Sequence, residues 1–156
     1  IRYKTAKLFE ASAQLGAVLG EQSQTIEHAM ARYGMHLGTA FQLIDDALDY
    51  GSSGSDIGKN IGDDLAEGKP TLPLIHAMRH GTPEQVAAIR QAIETGGRAC
   101  IDTVLAAIES TNAIAYTAQS AQQEADLAIE ALAELPASPY KEALYGLAEF
   151  SVSRSY

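Results

Sequence analysis

The sequence predicts an all-α protein, and three observations carry the prediction. Apolar residues recur at steps of three and four, alanine is abundant where valine is scarce, and no run alternates with the period of two that a half-buried strand needs. With 156 residues, 46% of them apolar, the chain is long enough for one domain with a sizeable core. Residues 1–156 read as a single all-α region without internal repeat, low-complexity run or second-domain boundary.

The elements follow in order. A first helix runs from the first residues to about Leu19, with Leu8, Leu15 and Leu19 among its inward candidates. The second is the clearest, because Ile26, Met30, Tyr33, Leu37, Phe41, Ile44 and Leu48 follow steps of 4, 3, 4, 4, 3 and 4. It ends just past Asp49, where Gly51-Ser52-Ser53-Gly54-Ser55 begins a flexible composition. The polar segment DIGKNIGDDLAEGKP reads as a loop with one short helical turn, and Pro70 is expected in the first turn of the next helix. Thr82-Pro83-Glu84-Gln85 has the form of a capping box, and Gly96-Gly97 stops the helix that it starts. A further helix runs to about Ser110, a long one spans about Ala113 to Leu135 before Pro136, and Ser138-Pro139 opens the last.

Composition excludes several functions. The formal charge is −9 with eleven Lys and Arg and no basic run, so there is no electrostatic footprint for nucleic acid. No apolar run approaches the ~20 residues that span a bilayer, and the single cysteine, Cys100, cannot form an internal disulfide. The expectation is a cytoplasmic protein of a reducing compartment. Ile1-Arg2-Tyr3-Lys4 contains neither an initiator Met nor a signal peptide, so the chain is expected to be part of something longer.

The stretch FQLIDDALDY sets Asp45, Asp46 and Asp49 among apolar residues. On a helical wheel with Asp45 at zero, Asp49 falls at ~40°, Gln42 at ~60° and Asp46 at ~100°, while Gly38 and Gly34 fall at ~20° and ~−20°. The apolar set occupies a different face, and the glycines leave room for a ligand or another backbone to approach closely. Like charges three and four apart destabilise a helix by a few tenths of a kcal/mol per pair, so a compensating cation is expected. Mg²⁺ suits hard oxygen ligands and is commonly held by one or two carboxylates together with substrate phosphates. The competing reading is a solvated acidic surface, which leaves Gln42, the glycines and the lysines that follow unexplained. Lys59 and Lys69 each follow a glycine, and Lys4-Thr5 stands near the start of the first helix. Cations and a hydroxyl beside a metal-binding carboxylate cluster are what a diphosphate requires.

With these residues in view, KTAKLFEASAQLGAVL, YGMHLGTAFQLIDDALDY and IGKNIGDDLAEGKPTLPLIHAM resemble the C-terminal half of the trans-polyprenyl diphosphate synthases, including their second aspartate-rich motif. Within that family the likeness is greatest to the bacterial octaprenyl diphosphate synthases, and it covers essentially the whole chain. The resemblance implies the C-terminal half of the helical isoprenoid (polyprenyl) synthase fold, around a deep cavity with an aspartate-rich motif on either side of its mouth. It implies a Mg²⁺-dependent prenyltransferase that condenses an allylic diphosphate, such as farnesyl diphosphate, with isopentenyl diphosphate. The implied product is a long-chain, octaprenyl diphosphate for quinone side chains, and the implied assembly is a homo-oligomer, since intact relatives are homodimers.

Carried over residue by residue, Asp45, Asp46 and Asp49 match the metal motif, with Asp45 the first choice for a direct ligand. Lys4, Thr5 and Gln42 match positions that contact the allylic substrate, Phe41 matches an aromatic lining the cavity, and Lys59 and Lys69 match lysines that contact the diphosphate or close the site. Asp45, Asp46 and Lys59 are thereby the implied catalytic residues. The family's first aspartate-rich motif has no counterpart here, since Asp63-Asp64 is followed by Leu65-Ala66-Glu67. The chain alone is therefore expected to be inactive, and exposed apolar faces are expected to favour self-association. The alternatives are a non-catalytic subunit of a prenyl diphosphate synthase and a terpene cyclase on the same fold.

Other signals are weaker. His76 and His80 stand four apart, but Ala77 follows where a zinc signature needs Glu. Gly62 to Lys69 departs from a P-loop in spacing, and Pro70 stands where Ser or Thr should hold magnesium. Gly34-xxx-Gly38 lies in too polar a helix for a membrane dimer motif, and Cys100 reads as a small buried side chain.

Overall fold

A computed structural model describes residues 2–51, 62–96 and 100–153, apart from the side chains of Arg2 and Lys4. It is all-α, with no strand among the described residues. A π-helical turn, Arg2–Ala6, leads into α1 (Lys7–Leu19), followed by α2 (Gln24–Gly51), α3 (Asp63–Ala66), α4 (Leu72–His80), α5 (Pro83–Thr95), α6 (Ile101–Ser110), α7 (Ala113–Ala131) and α8 (Pro139–Ser153). The residues gather into two compact units, one of Ile1–Ile44 with Ser120–Ser155 and one of Asp45–Gln119, so α2 contributes to both.

Local chemistry sets most of the boundaries. The Gln85 N–H donates to Thr82 Oγ1 at 3.3 Å and the Thr82 N–H to Gln85 Oε1 at 2.9 Å, completing the capping box that starts α5. Gly96 ends it at φ 61°, where a Cβ would also stand 2.8 Å from the Ala66 carbonyl oxygen. The Lys141 N–H donates to Ser138 Oγ at 3.1 Å, which caps α8 at Pro139. α7 tightens into a 3₁₀ turn, Leu132–Glu134, before extended Leu135 meets Pro136.

The start of α4 differs from expectation. Pro70 lies outside the helix, Thr71 is its extended N-terminal flank, and it is Pro73 that occupies the first turn. Gly68, at φ 70°, first turns the chain against the Ile93 carbonyl oxygen, which leaves Lys69 and Pro70 as connecting residues.

In the first unit, Tyr33 of α2 packs with Ala128, Ala131 and Leu132 at the end of α7 and Ala148 of α8, with Met30, Leu37 and Leu144 around them. The Tyr33 hydroxyl donates to the Leu144 carbonyl at 2.9 Å, and burial pushes its pKa up to about 12. The inward face of α1 is not the predicted one. Leu8, Leu15 and Leu19 are 70%, 56% and 83% exposed, whereas Ala6 and Ala17 are buried. The reason lies in α2: a Cβ on Gly34 would stand 2.3 Å from the Phe9 carbonyl oxygen, and one on Gly38 would stand 2.8 Å from the Ala6 Cα. The two glycines let the backbones meet closely at Ala6 and Phe9, and the leucines are turned away from this glycine seam.

In the second unit, α4, α5 and α6 pack on one another and α3 packs on α5. Tyr50, Leu65, Leu74, Ile89, Val104 and Ile108 form the core, with Cys100 only partly buried beside them.

Candidate functional site

The predicted residues fall into two groups, both carried by α2. In the first, Thr5 sits in the π-helical turn, a distortion frequent at functional positions. Its hydroxyl donates to Gln42 Oε1 at 2.8 Å, fixing which way the carboxamide points. One residue earlier, Phe41 is tilted against Phe9 of α1 with ring centroids 5.8 Å apart. These contacts follow from the glycine seam, because Ala6 and Phe9 rest where Gly38 has no side chain.

The second group is built at the end of α2. Asp45 and Asp49 are partly exposed and Asp46 is buried at 4%. The carboxylate of Asp49 reaches the start of α3, where its Oδ2 accepts the Asp64 N–H at 3.2 Å. The Asp49 carbonyl oxygen accepts the Gly62 N–H at 3.1 Å. Burial pushes the Asp49 carboxyl up to about 6, opposed by the N–H of Asp64 and reinforced by the negative charges of Asp64 and Asp63. The last acid of DDxxD therefore stands partly desolvated among other acids.

Lys69 supplies a cation to this group. Its ammonium donates to Asp64 Oδ1 at 2.9 Å and pairs with Glu67 Oε2, and those two contacts push its pKa up, Glu67 first. Asp64 and Glu67 were not among the predicted site residues. The readable signal was an acid five positions before the lysine, directly after a glycine-opened turn. Lys59 lies outside the described residues, as does the side chain of Lys4.

Among the described residues no three His, Cys, Asp or Glu side chains converge to hold a metal ion. The three aspartates thus do not form a closed cage. Their donor set is nevertheless suited to Mg²⁺, which accepts one or two carboxylates and completes its shell with water and phosphate oxygens. The partly desolvated Asp49 carboxyl is the observation that fits a cation, since a nearby positive charge would favour its ionised form.

The histidines form a different structure. His76 is stacked between His80 at 4.2 Å and Tyr116 at 4.1 Å, and its Nε2 donates to the Thr111 carbonyl at 3.2 Å. Stacking in the second unit accounts for them.

Comparison with known proteins places these groups in context. The polyprenyl synthetase family matches residues 1–111. Octaprenyl diphosphate synthase of Escherichia coli (strain K12) is 55% identical over 152 residues, 97% of this chain and 47% of that protein. All-trans-nonaprenyl-diphosphate synthase (geranyl-diphosphate specific) of Rhodobacter capsulatus is 43% identical over 154 residues, 99% of this chain and 47% of that protein. Among solved structures, polyprenyl synthase from Caulobacter crescentus CB15, complexed with calcium and isoprenyl diphosphate, aligns with a TM-score of 0.88 and 42% identity. That alignment covers 99% of this chain and 48% of that one. The chain spans about half the length of the curated relatives it matches.

Proposed function

We propose a function on the premise that this chain belongs to the polyprenyl synthetase family and has its helical isoprenoid synthase fold. It is the C-terminal half of a trans-prenyl diphosphate synthase that joins an allylic diphosphate, such as farnesyl diphosphate, to isopentenyl diphosphate units. Its product is a long-chain, octaprenyl diphosphate for quinone side chains. The octaprenyl assignment follows the 55% identity to the Escherichia coli octaprenyl enzyme. The intact protein is a cytoplasmic homo-oligomer on this reading; among the described residues no helix is long and apolar enough to cross a membrane.

Asp45, Asp46 and Asp49 would hold Mg²⁺, and when bound it supplies positive charge against the charge that develops on a departing diphosphate. The chain's own groups do the rest. Lys69, with Lys4 and Lys59, binds diphosphate oxygens as point charges. The Thr5 hydroxyl donates to the Gln42 carboxamide oxygen, and the two side chains together orient the allylic substrate. Phe41 lines the cavity, where apolar walls exclude water from a carbocation.

The observation that carries this reading is the DDxxD end of α2, with Asp49 Oδ2 reaching the Asp64 N–H at 3.2 Å, in a chain 55% identical to an octaprenyl diphosphate synthase. The test is an assay with farnesyl and isopentenyl diphosphates, with and without Mg²⁺, on protein whose intact mass is measured. Long-chain product, abolished by chelation, is expected from a protein of about twice this chain's mass, and none from the 156-residue chain alone. Metal-independent product would overturn the reading.

A second reading, a non-catalytic subunit, draws on the exposed face of Leu8, Leu15 and Leu19, which suits association. It predicts that the chain raises the activity of a complete synthase while Asp45→Ala leaves that effect intact.

A further inference from the structure

We propose that Asp64 is a positioning residue for Lys69, and that Glu67 is a releasable competitor which the diphosphate displaces. The inference rests on the reading of Lys69 as a diphosphate ligand, and its geometry lies wholly within the second unit.

The segment from Gly62 to Lys69 is a tight turn closed by its own backbone. The N–H groups of Ala66, Glu67 and Gly68 donate to Gly62, Asp63 and Leu65, and the Lys69 N–H donates to the Asp64 carbonyl at 2.9 Å. Leu65 anchors the turn in the core at 1% exposure, and Gly68, at φ 70°, leaves no space for a side chain against Ile93. Lys69 is therefore tied to Asp64 twice, by backbone and by its ammonium at 2.9 Å. Asp64 is in turn held by its N–H on Asp49, so the end of the DDxxD helix and the position of the lysine are mechanically one unit.

The two carboxylates on Lys69 are not equivalent. Asp64 has a side chain 19% exposed on a backbone that Asp49 holds, while that of Glu67 is 63% exposed at the end of α3. Exposed ion pairs hold weakly against competing anions, so Glu67 is easily exchanged for another anion. An ammonium has three N–H donors. A diphosphate oxygen that takes the place of Glu67 leaves Lys69 still oriented by Asp64. Asp64 thus determines where the positive charge stands, and Glu67 sets how readily it is surrendered.

The experiment measures binding of inorganic pyrophosphate in the presence of Mg²⁺ by calorimetry, beside the acylation rate of Lys69 by an N-hydroxysuccinimide ester in the absence of ligand. Glu67→Gln should tighten pyrophosphate binding about threefold and speed acylation. Asp64→Asn should speed acylation but weaken pyrophosphate binding, and in that background Lys69→Ala should cost much less than in the parent. Asp64→Glu, which keeps the charge, should restore part of the binding, and this guards against a folding defect. If both variants leave the acylation rate unchanged, the positioning role is overturned whatever pyrophosphate does. If acylation responds but pyrophosphate binding ignores Lys69→Ala, the diphosphate reading of Lys69 is overturned, and the proposal with it.

Discussion

Asp49 Oδ2 accepts the backbone N–H of Asp64 at 3.2 Å, across fifteen residues of sequence. The third acid of the motif therefore has a structural task besides any metal it binds: it holds the first turn of α3, and through it the lysine that follows.

That placement gives Asp49 a pH signature. Its carboxyl is raised from 3.8 to about 6, chiefly by burial, so the folded state prefers it protonated. The stability it contributes is fully present below pH 3.8 and is lost as the pH rises through about 6. Asp49→Asn, which keeps an acceptor for the Asp64 N–H, should raise the metal-free thermal midpoint at pH 7.5 by about 1–3 °C, the gain being small because solvent screens a half-exposed group. At pH 4 the change should vanish. Equal shifts at both values would rule out ionisation as the cause.

Asp45 is the clearest test of the metal assignment. In the complete enzyme, Asp45→Ala should depress kcat/KM by roughly 10²-fold or more, the scale on which loss of one charge-stabilising group acts. Far-ultraviolet circular dichroism should be unchanged, because Asp45 is partly exposed and outside the apolar core. Near-normal turnover would remove it from the site.

The glycine seam can be probed by one substitution within it and a control outside it, with opposite signs. Gly34→Ala brings a methyl to 2.3 Å from the Phe9 carbonyl oxygen, so α1 must shift, at a cost of about 2 kcal/mol. Gly146 lies within α8, where an added methyl would meet nothing within 4 Å, and Gly146→Ala should stabilise by about 0.5–1 kcal/mol. Urea midpoints of the two variants should move in opposite directions, and a neutral Gly34→Ala would mean that the helices do not meet so closely.

The exposed leucines of α1 predict association. Leu8, Leu15 and Leu19 recur at seven and four residues with 70%, 56% and 83% exposure, a stripe that water does not favour. The 156-residue chain alone should show a concentration-dependent mass above monomer by light scattering, and replacing all three leucines by Gln should reduce it. A monomer at every concentration would mean that the stripe drives no association.

How much of this was legible beforehand depended on the distance over which each signal acts. The capping box at Thr82, the stop at Gly96, the cap at Ser138 and the apolar period of α2 all act within about one helical turn, so sequence by itself determined those elements and the face bearing Asp45 and Asp49. The start of α4 escaped, because two prolines three apart competed and a turn at Gly68 decided between them. So did the inward face of α1: hydrophobicity nominates its leucines, but burial depends on what the partner helix presents, and Gly34 and Gly38 present bare backbone against which Ala6 and Phe9 pack. The partners of Lys69 and the anchoring of Asp64 by Asp49 were also decided only in three dimensions. Hydrogen bonds between residues separated by a loop leave no periodicity in the chain, and it is the folded contact that assigns each charge its neighbour.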